Sequence, residues 1–353
     1  MLKQLSFASL ALINLLALVA ATRTYDNDYD DYYDNTRSTN TTLRSYSDIR
    51  AGRAEYSSSN FASRNGDPFA GNCNRYLCRF KSVCGRMTSG KQRSLADAAE
   101  GSRISNGVGA QHGEFPQFVV VVMTHRFPRP GFEMCGGVLI SDMHVLTAAH
   151  CVTTRLGFVA RPDSVEVTFG DHSRLRYDGT EKKVKVKSVC RARRYFGNFN
   201  GPPLNDWAVI TLRERVSFNR YIQPACLTNL RHITGRESEC YIMGYGLSRN
   251  FDWRRRLIST LPDILQKMRV IKTSCWMVLR RSEDRSRHCF SDYYGRSANA
   301  CMGDSGGPIL CKSDGRYLVV GLVSYGPTHC TGGITFHTNI PNLLGDIQSE
   351  CGI

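Results

Sequence analysis

Eight consecutive residues, Cys301-Met302-Gly303-Asp304-Ser305-Gly306-Gly307-Pro308, carry the strongest chemical signal in the chain. Flanking glycines let a serine occupy a tight turn, with its hydroxyl exposed and backbone N–H groups aimed at one point. An acyl-transfer nucleophile and its oxyanion hole need that arrangement. Glycines alone would equally make an ordinary turn, so the partner residues decide the reading. Leu146-Thr147-Ala148-Ala149-His150-Cys151 sets a histidine after a small-residue strand end, and Asn205-Asp206-Trp207-Ala208-Val209 sets an aspartate at the head of an apolar strand. A single histidine is usually structural, and a single aspartate is usually solvated. His150, Asp206 and Ser305 together, each in such a context, fit a general base, a group that orients it and a hydroxyl nucleophile.

The elements around these residues are short. Runs rich in Val, Ile, Tyr and Phe recur at 118–123, 165–169, 208–212, 241–243 and 317–323, between clusters of Gly, Pro, Asn and Asp. Residues 183–189 alternate polar and apolar, the pattern of a half-buried strand. Helical periodicity appears only at 340–350. Many short strands over the ~250 residues from Ile104 onward predict an all-β sandwich or barrel. No internal repeat is visible.

The chain has 353 residues, 41% hydrophobic and 22% charged, which allows two domains and a real core. Its 46 Lys and Arg against 31 Asp and Glu give a formal charge of +15. That charge permits an anionic partner without identifying one. Residues 104–353 hold 32 of the basic and 21 of the acidic residues, with basic clusters at 191–194, 254–256 and 280–287. These read as solvated loop charge; an exosite for an acidic substrate or a glycosaminoglycan is the alternative, and predicts salt-sensitive binding. No motif supports nucleic-acid recognition. Trp253 with the arginines after it predicts an exposed loop open to a trypsin-specific protease.

Fourteen cysteines argue for an oxidising, extracellular compartment. Lys3, the apolar run 5–19 and the small residues Val19-Ala20-Ala21 predict a signal peptide over 1–21. The run is shorter than the ~20 apolar residues a membrane span needs, and no second one follows. A cytosolic enzyme, a multi-span membrane protein and a wholly disordered chain are disfavoured on these grounds.

Residues 22 to about 70 are poor in aliphatic side chains and predict a largely disordered segment. Within it, 25–34 interleaves five aspartates with tyrosines. This is a solvated acidic tail, or a screen for the basic domain carrying sulfated tyrosines. Asn40-Thr41-Thr42 is a glycosylation sequon. Cys73, Cys78 and Cys84 match no zinc pattern; being three, at least one must bond elsewhere or stay free. Residues 91–102 read as an accessible linker.

Residues 104–353 resemble the trypsin/chymotrypsin family of serine proteases. The resemblance implies a protease domain of two antiparallel Greek-key β-barrels with a short C-terminal helix and the active site in the cleft, after a prosegment at 22–103. It makes His150 the general base, Asp206 its orienting group and Ser305 the nucleophile, with the N–H groups of Gly303 and Ser305 as oxyanion hole. Arg103-Ile104-Ser105-Asn106-Gly107 resembles the activation site, although Ser105-Asn106 stands in place of the usual Val-Gly. Cleavage after Arg103 would free an ammonium on Ile104 to pair with a buried Asp304.

The family pattern pairs Cys135 with Cys151, Cys240 with Cys311, Cys275 with Cys289 and Cys301 with Cys330. It further implies that Cys226 bonds one of the three N-terminal cysteines, the other two pairing locally, and that Cys190 joins Cys351. The prosegment would then stay attached as a light chain.

Asn299 matches the base of the primary pocket, with Ala300 beside it. Ser324-Tyr325-Gly326 matches one wall, and Thr335, in the short stretch 331–336, the other. An uncharged base disfavours basic substrate residues and points to neutral, medium-sized ones. Asp171 and Glu181, with Asp178, resemble the calcium loop of trypsin. Arg174, Arg176 and the short side chain of Asp171 weigh toward an empty loop. The resemblance thus implies a secreted serine endopeptidase made as a zymogen and acting in limited proteolysis. It would need no cofactor, with structural calcium as the one inorganic candidate. Its implied partners are a protein or peptide substrate, an upstream trypsin-specific activating protease and a serpin-type inhibitor. The competing reading is a non-catalytic, protease-like binding protein.

Overall fold

Twelve strands build two barrels. The first uses β1 (Phe118–His125), β2 (Gly131–Leu139), β3 (His144–Thr147), β4 (Val165–Phe169), β5 (Lys182–Arg191) and β6 (Ala208–Leu212). They close in the order β1-β2-β3-β6-β5-β4. The second uses β7 (Glu239–Gly244), β8 (Gln266–Thr273), β9 (Arg287–Asp292), β10 (Pro308–Ser313), β11 (Arg316–Tyr325) and β12 (Thr335–Asn339). Its order is β7-β8-β9-β12-β11-β10, with β10 paired back to β7. Every barrel pairing is antiparallel, and the two orders are the same. The expected all-β, two-barrel fold is therefore present, and its repeat lies in topology rather than in sequence.

The computed structural model describes residues 83–86, 107–125, 130–198, 201–229, 238–251, 257–275, 284–295, 299–327, 330 and 333–353. The signal peptide, the acidic tract, Asn40, Cys73, Cys78, Arg103, Ile104 and residues 252–256 lie outside them.

Alternation explains the first barrel. Val184 and Val186 of β5 point inward while Lys183, Lys185 and Lys187 point out. They meet Val119, Val121, Val167, Phe169, Ile210 and Leu212 in one core. Ile242, Met268, Val270, Phe290, Ile309 and Val320 fill the second barrel. A further cluster takes Phe118, Val138 and Leu146 from the first barrel and Met243, Leu310 and Leu322 from the second, and so welds the two. Each such side chain contributes roughly 1.5–3 kcal/mol when fully buried.

The helix α1 (Ile340–Cys351) is the long helical run foreseen at the end of the chain. Asn339 caps it by accepting from the Asn342 N–H, Pro341 fits its first turn, and Gly352 ends it in the left-handed region (φ 70°). Ile340, Leu343 and Ile347 bury its inner face, and Cys351 bonds Cys190 at the end of β5. Among the described residues no helix is long and apolar enough to cross a membrane.

Candidate active site

The candidate base sits just past β3. His150 opens a short 3-10 turn (His150–Val152), and the next residue, Cys151, is bonded to Cys135 on β2. Asp206 precedes β6, the strand paired with β3, so the sheet brings the two together. Asn205 takes a left-handed conformation (φ 50°), which asparagine tolerates better than most residues, and its Nδ2 donates to the Arg194 carbonyl at 3.0 Å.

Both oxygens of Asp206 face His150. The ring Nδ1 lies 2.8 Å from Oδ2, and the His150 backbone N–H donates to Oδ1 at 3.0 Å. The Ser324 hydroxyl also donates to Oδ2, at 2.6 Å, and the Thr338 hydroxyl donates to the Asp206 carbonyl at 2.7 Å. Burial pushes the Asp206 carboxyl up, but the charge and hydrogen bonds of His150, with Ser324, hold it below its ordinary value. Burial lowers His150 in turn, and the Asp206 charge and hydrogen bond, with Glu133, carry it above its ordinary value. The Asp206 side chain is 1% exposed and that of His150 30%. A fixed carboxylate thus backs an imidazole that solvent and substrate can reach.

Ser305 enters from the second barrel, on the turn before β10. The turn docks on β2 and on β11: the Gly136 N–H donates to the Ser305 carbonyl at 2.7 Å, and the Gly306 N–H donates to the Val323 carbonyl of β11 at 2.7 Å. Gly306 has φ +74°, and a Cβ there would lie 2.3 Å from Thr147 Oγ1 and 2.6 Å from the Gly136 carbonyl. Only glycine fits. The N–H groups of Asp304, Gly306 and Gly307 are committed to carbonyls. Those of Gly303 and Ser305 have no acceptor among the described residues, as an oxyanion hole requires.

A match to the Trypsin family model spans residues 104–345. The chain belongs to the trypsin family. Spermosin of Halocynthia roretzi is 31% identical over 206 residues, covering 57% of this chain and 50% of that protein. Chymotrypsin-like elastase family member 1 of Felis catus is 31% identical over 195 residues, covering 55% and 68%. The rat protein of that name is 29% identical over 237 residues, covering 64% and 79%. The chain therefore spans half the length of spermosin and a larger share of the elastase relatives.

In this trypsin-family domain Asp304 is fully buried, accepting from the Gly246 N–H at 2.8 Å and the Cys301 N–H at 2.9 Å. A Cβ on Gly246 would sit 2.3 Å from its Oδ2. No cation faces it among the described residues, and burial raises it to about 6 despite both hydrogen bonds. Its expected partner, Ile104, lies outside the described residues.

The described residues hold six disulfides. Cys135–Cys151, Cys240–Cys311, Cys275–Cys289, Cys301–Cys330 and Cys190–Cys351 are joined as the family pattern implies, and Cys226 bonds Cys84. Such a count belongs to an oxidising compartment.

The pocket residues converge in part. Asn299, Ala300 and Thr335 are buried. A Cβ on Gly326 would stand 3.1 Å from Thr335 Cγ2 and 3.8 Å from the Ala300 carbonyl. Ser324, at the head of the stretch expected to form one wall, also has a second role, since its hydroxyl donates to Asp206. Thr338, the other hydroxyl on Asp206, escaped the sequence reading because a threonine in an apolar strand looks like any β-former.

In the acidic loop the carboxylates are engaged in part by backbone N–H groups. Glu181 accepts from the N–H groups of Asp178 (2.6 Å) and Thr180 (2.9 Å), and Asp178 accepts from that of Ser173 (2.9 Å). Burial, with Glu181 and Asp178 nearby, raises Asp171 to about 6. Among the described residues, the one His, Cys, Asp and Glu group whose ligand atoms converge is His150 with Cys135 and Cys151. Those two sulfurs are already bonded to each other.

Proposed function

We propose that this chain is a secreted serine endopeptidase, made as a zymogen and activated by cleavage after Arg103. The observation that carries the reading is the buried Asp206 carboxylate, held by three hydrogen bonds with both oxygens on His150. His150 then takes the proton of the Ser305 hydroxyl as it attacks a substrate carbonyl, and the oxyanion forms against the Gly303 and Ser305 N–H groups. The imidazolium returns the proton to the leaving amine. Water, activated by His150, releases the acyl group.

Asp304 supplies the switch. Its buried, unneutralised carboxylate disfavours the uncut state, and an Ile104 ammonium would relieve that cost. Asn299 has no charge to offer a substrate Lys or Arg, so the primary pocket favours neutral side chains. The long prosegment suits limited proteolysis in a cascade, with an activating protease upstream and a serpin-type inhibitor as control.

Fluorophosphonate labelling before and after a cut at Arg103 tests this, with Ser305→Ala as control and the new N-terminus sequenced. Labelling should appear only once Ile104 is exposed, and never in the control. Absence of labelling on a verified Ile104 terminus would put the non-catalytic binding protein in its place.

A further inference from the structure

Beneath the primary pocket lie two buried histidines that the catalytic mechanism does not use. His337 is fully buried on β12, two residues from Thr335, so the two side chains share a face of the strand. His337 Nε2 is 2.6 Å from Thr335 Oγ1, and the same hydroxyl donates to the Phe290 carbonyl at 3.2 Å. The Phe290 ring stands edge-on between His337 (5.4 Å) and His288 (4.8 Å), which fixes the His337 ring from behind. Burial pushes His337 down to about 3, so the ring is neutral.

A threonine carries one methyl and one hydroxyl on Cβ, and its χ1 decides which faces a cavity. Here the methyl is turned to Gly326, 3.1 Å from where a Cβ on that residue would stand, while the hydroxyl turns back to His337 and Phe290. An unpaired hydroxyl facing the pocket would cost binding of an apolar side chain and favour a polar one.

We propose that His337 is a positioning residue that sets substrate preference by anchoring the Thr335 hydroxyl away from the pocket, so that a methyl faces Gly326. The substrate class is then a peptide whose residue on the N-terminal side of the scissile bond (P1) is a small to medium aliphatic. The inference rests on the protease reading above.

The test uses the full chain cut at Arg103 and peptides that differ only at P1, valine against its near-isostere threonine. The wild type should favour valine in kcat/KM. His337→Phe should lower the valine-to-threonine ratio by about tenfold, within the range one such group gives a pocket. His337→Gln keeps a polar atom within reach of the hydroxyl and should restore most of the ratio. In Thr335→Val, which has no hydroxyl to anchor, adding His337→Phe should leave the ratio where it was. A uniform fall in kcat/KM with the ratio intact in His337→Phe would overturn the inference and leave a packing role.

Should His337→Phe not fold, Thr335→Ser decides. Loss of the pocket-facing methyl should shift preference from valine toward leucine, and an unmoved preference overturns the assignment. Peptide cleavage by the wild type with Ser305 labelling keeps the protease reading whichever way the ratios fall. Absence of both would overturn that reading and the inference with it.

Discussion

Asp304 is a carboxyl whose burial, with no cation facing it among the described residues, costs the folded chain stability once it is ionised. Its folded pKa, raised from 3.8 to about 6 by burial, means that the folded chain keeps a proton which the unfolded chain has lost. The associated stability is full below the unfolded value and is lost as pH rises through about 6. A shift of that size corresponds to about 3 kcal/mol as an order of magnitude. Denaturant unfolding of uncut wild type and Asp304→Asn at pH 4 and pH 7 measures it. The variant should be the relatively more stable partner at pH 7, with the difference shrinking at pH 4. A gap that does not change with pH would refute the assignment. At this scale the sequence was a partial guide. His150, Asp206 and Ser305 announced themselves through the small residues that shape their turns. Ser324 and Thr338 reach Asp206 through hydrogen bonds from residues more than a hundred positions away, and no spacing along the chain records those.

Elements hold these residues in place by close backbone approach. The turn at Ser305 belongs to one barrel and its docking strand β2 to the other, and Gly306 lies where they touch. Gly306→Ala must force a left-handed conformation on an alanine, which costs about 1–2 kcal/mol, and must displace Thr147 or the Gly136 carbonyl as well. Uncut and cut protein should both unfold at lower denaturant. Fluorophosphonate labelling should slow by on the order of 100-fold, as when an oxyanion donor is lost. Labelling at the wild-type rate would show that the turn tolerates a side chain. Strands with alternating or unbroken apolar residues, such as β5 and β1, were legible from periodicity. The hairpin of Phe196–Asn198 with Gly201–Leu204 was not, because Pro202 and Pro203 argue against a strand except at an edge.

Across the whole molecule, pairings between distant segments decide the architecture, and local pattern does not predict them. Cys240 meets Cys311 across β7 and β10 at a sequence separation of 71, and the shared strand order of the barrels has no counterpart in sequence similarity. The N-terminal attachment is equally long-range. Cys84 bonds Cys226 at a separation of 142 and packs with Leu318. Around it the Gly85 N–H donates to the Pro224 carbonyl at 2.7 Å, and the Tyr317 N–H donates to the Gly85 carbonyl at 2.8 Å. Gln117 adds a bond to the Arg86 carbonyl at 3.1 Å. Hydrogen bonds on so short a segment contribute only about 1 kcal/mol each, too little to hold a free chain at micromolar concentration once residue 103 is cut. Among the described residues the disulfide is therefore the tie expected to keep a light chain in place after the proposed cut. Cut wild type should migrate as one species without reductant and as two with it. The double variant Cys84→Ser/Cys226→Ser, cut at the same bond, should lose its light chain on gel filtration without reductant. Co-elution of the two pieces in that variant would mean that contacts beyond those of Cys84, Gly85 and Arg86 hold the light chain.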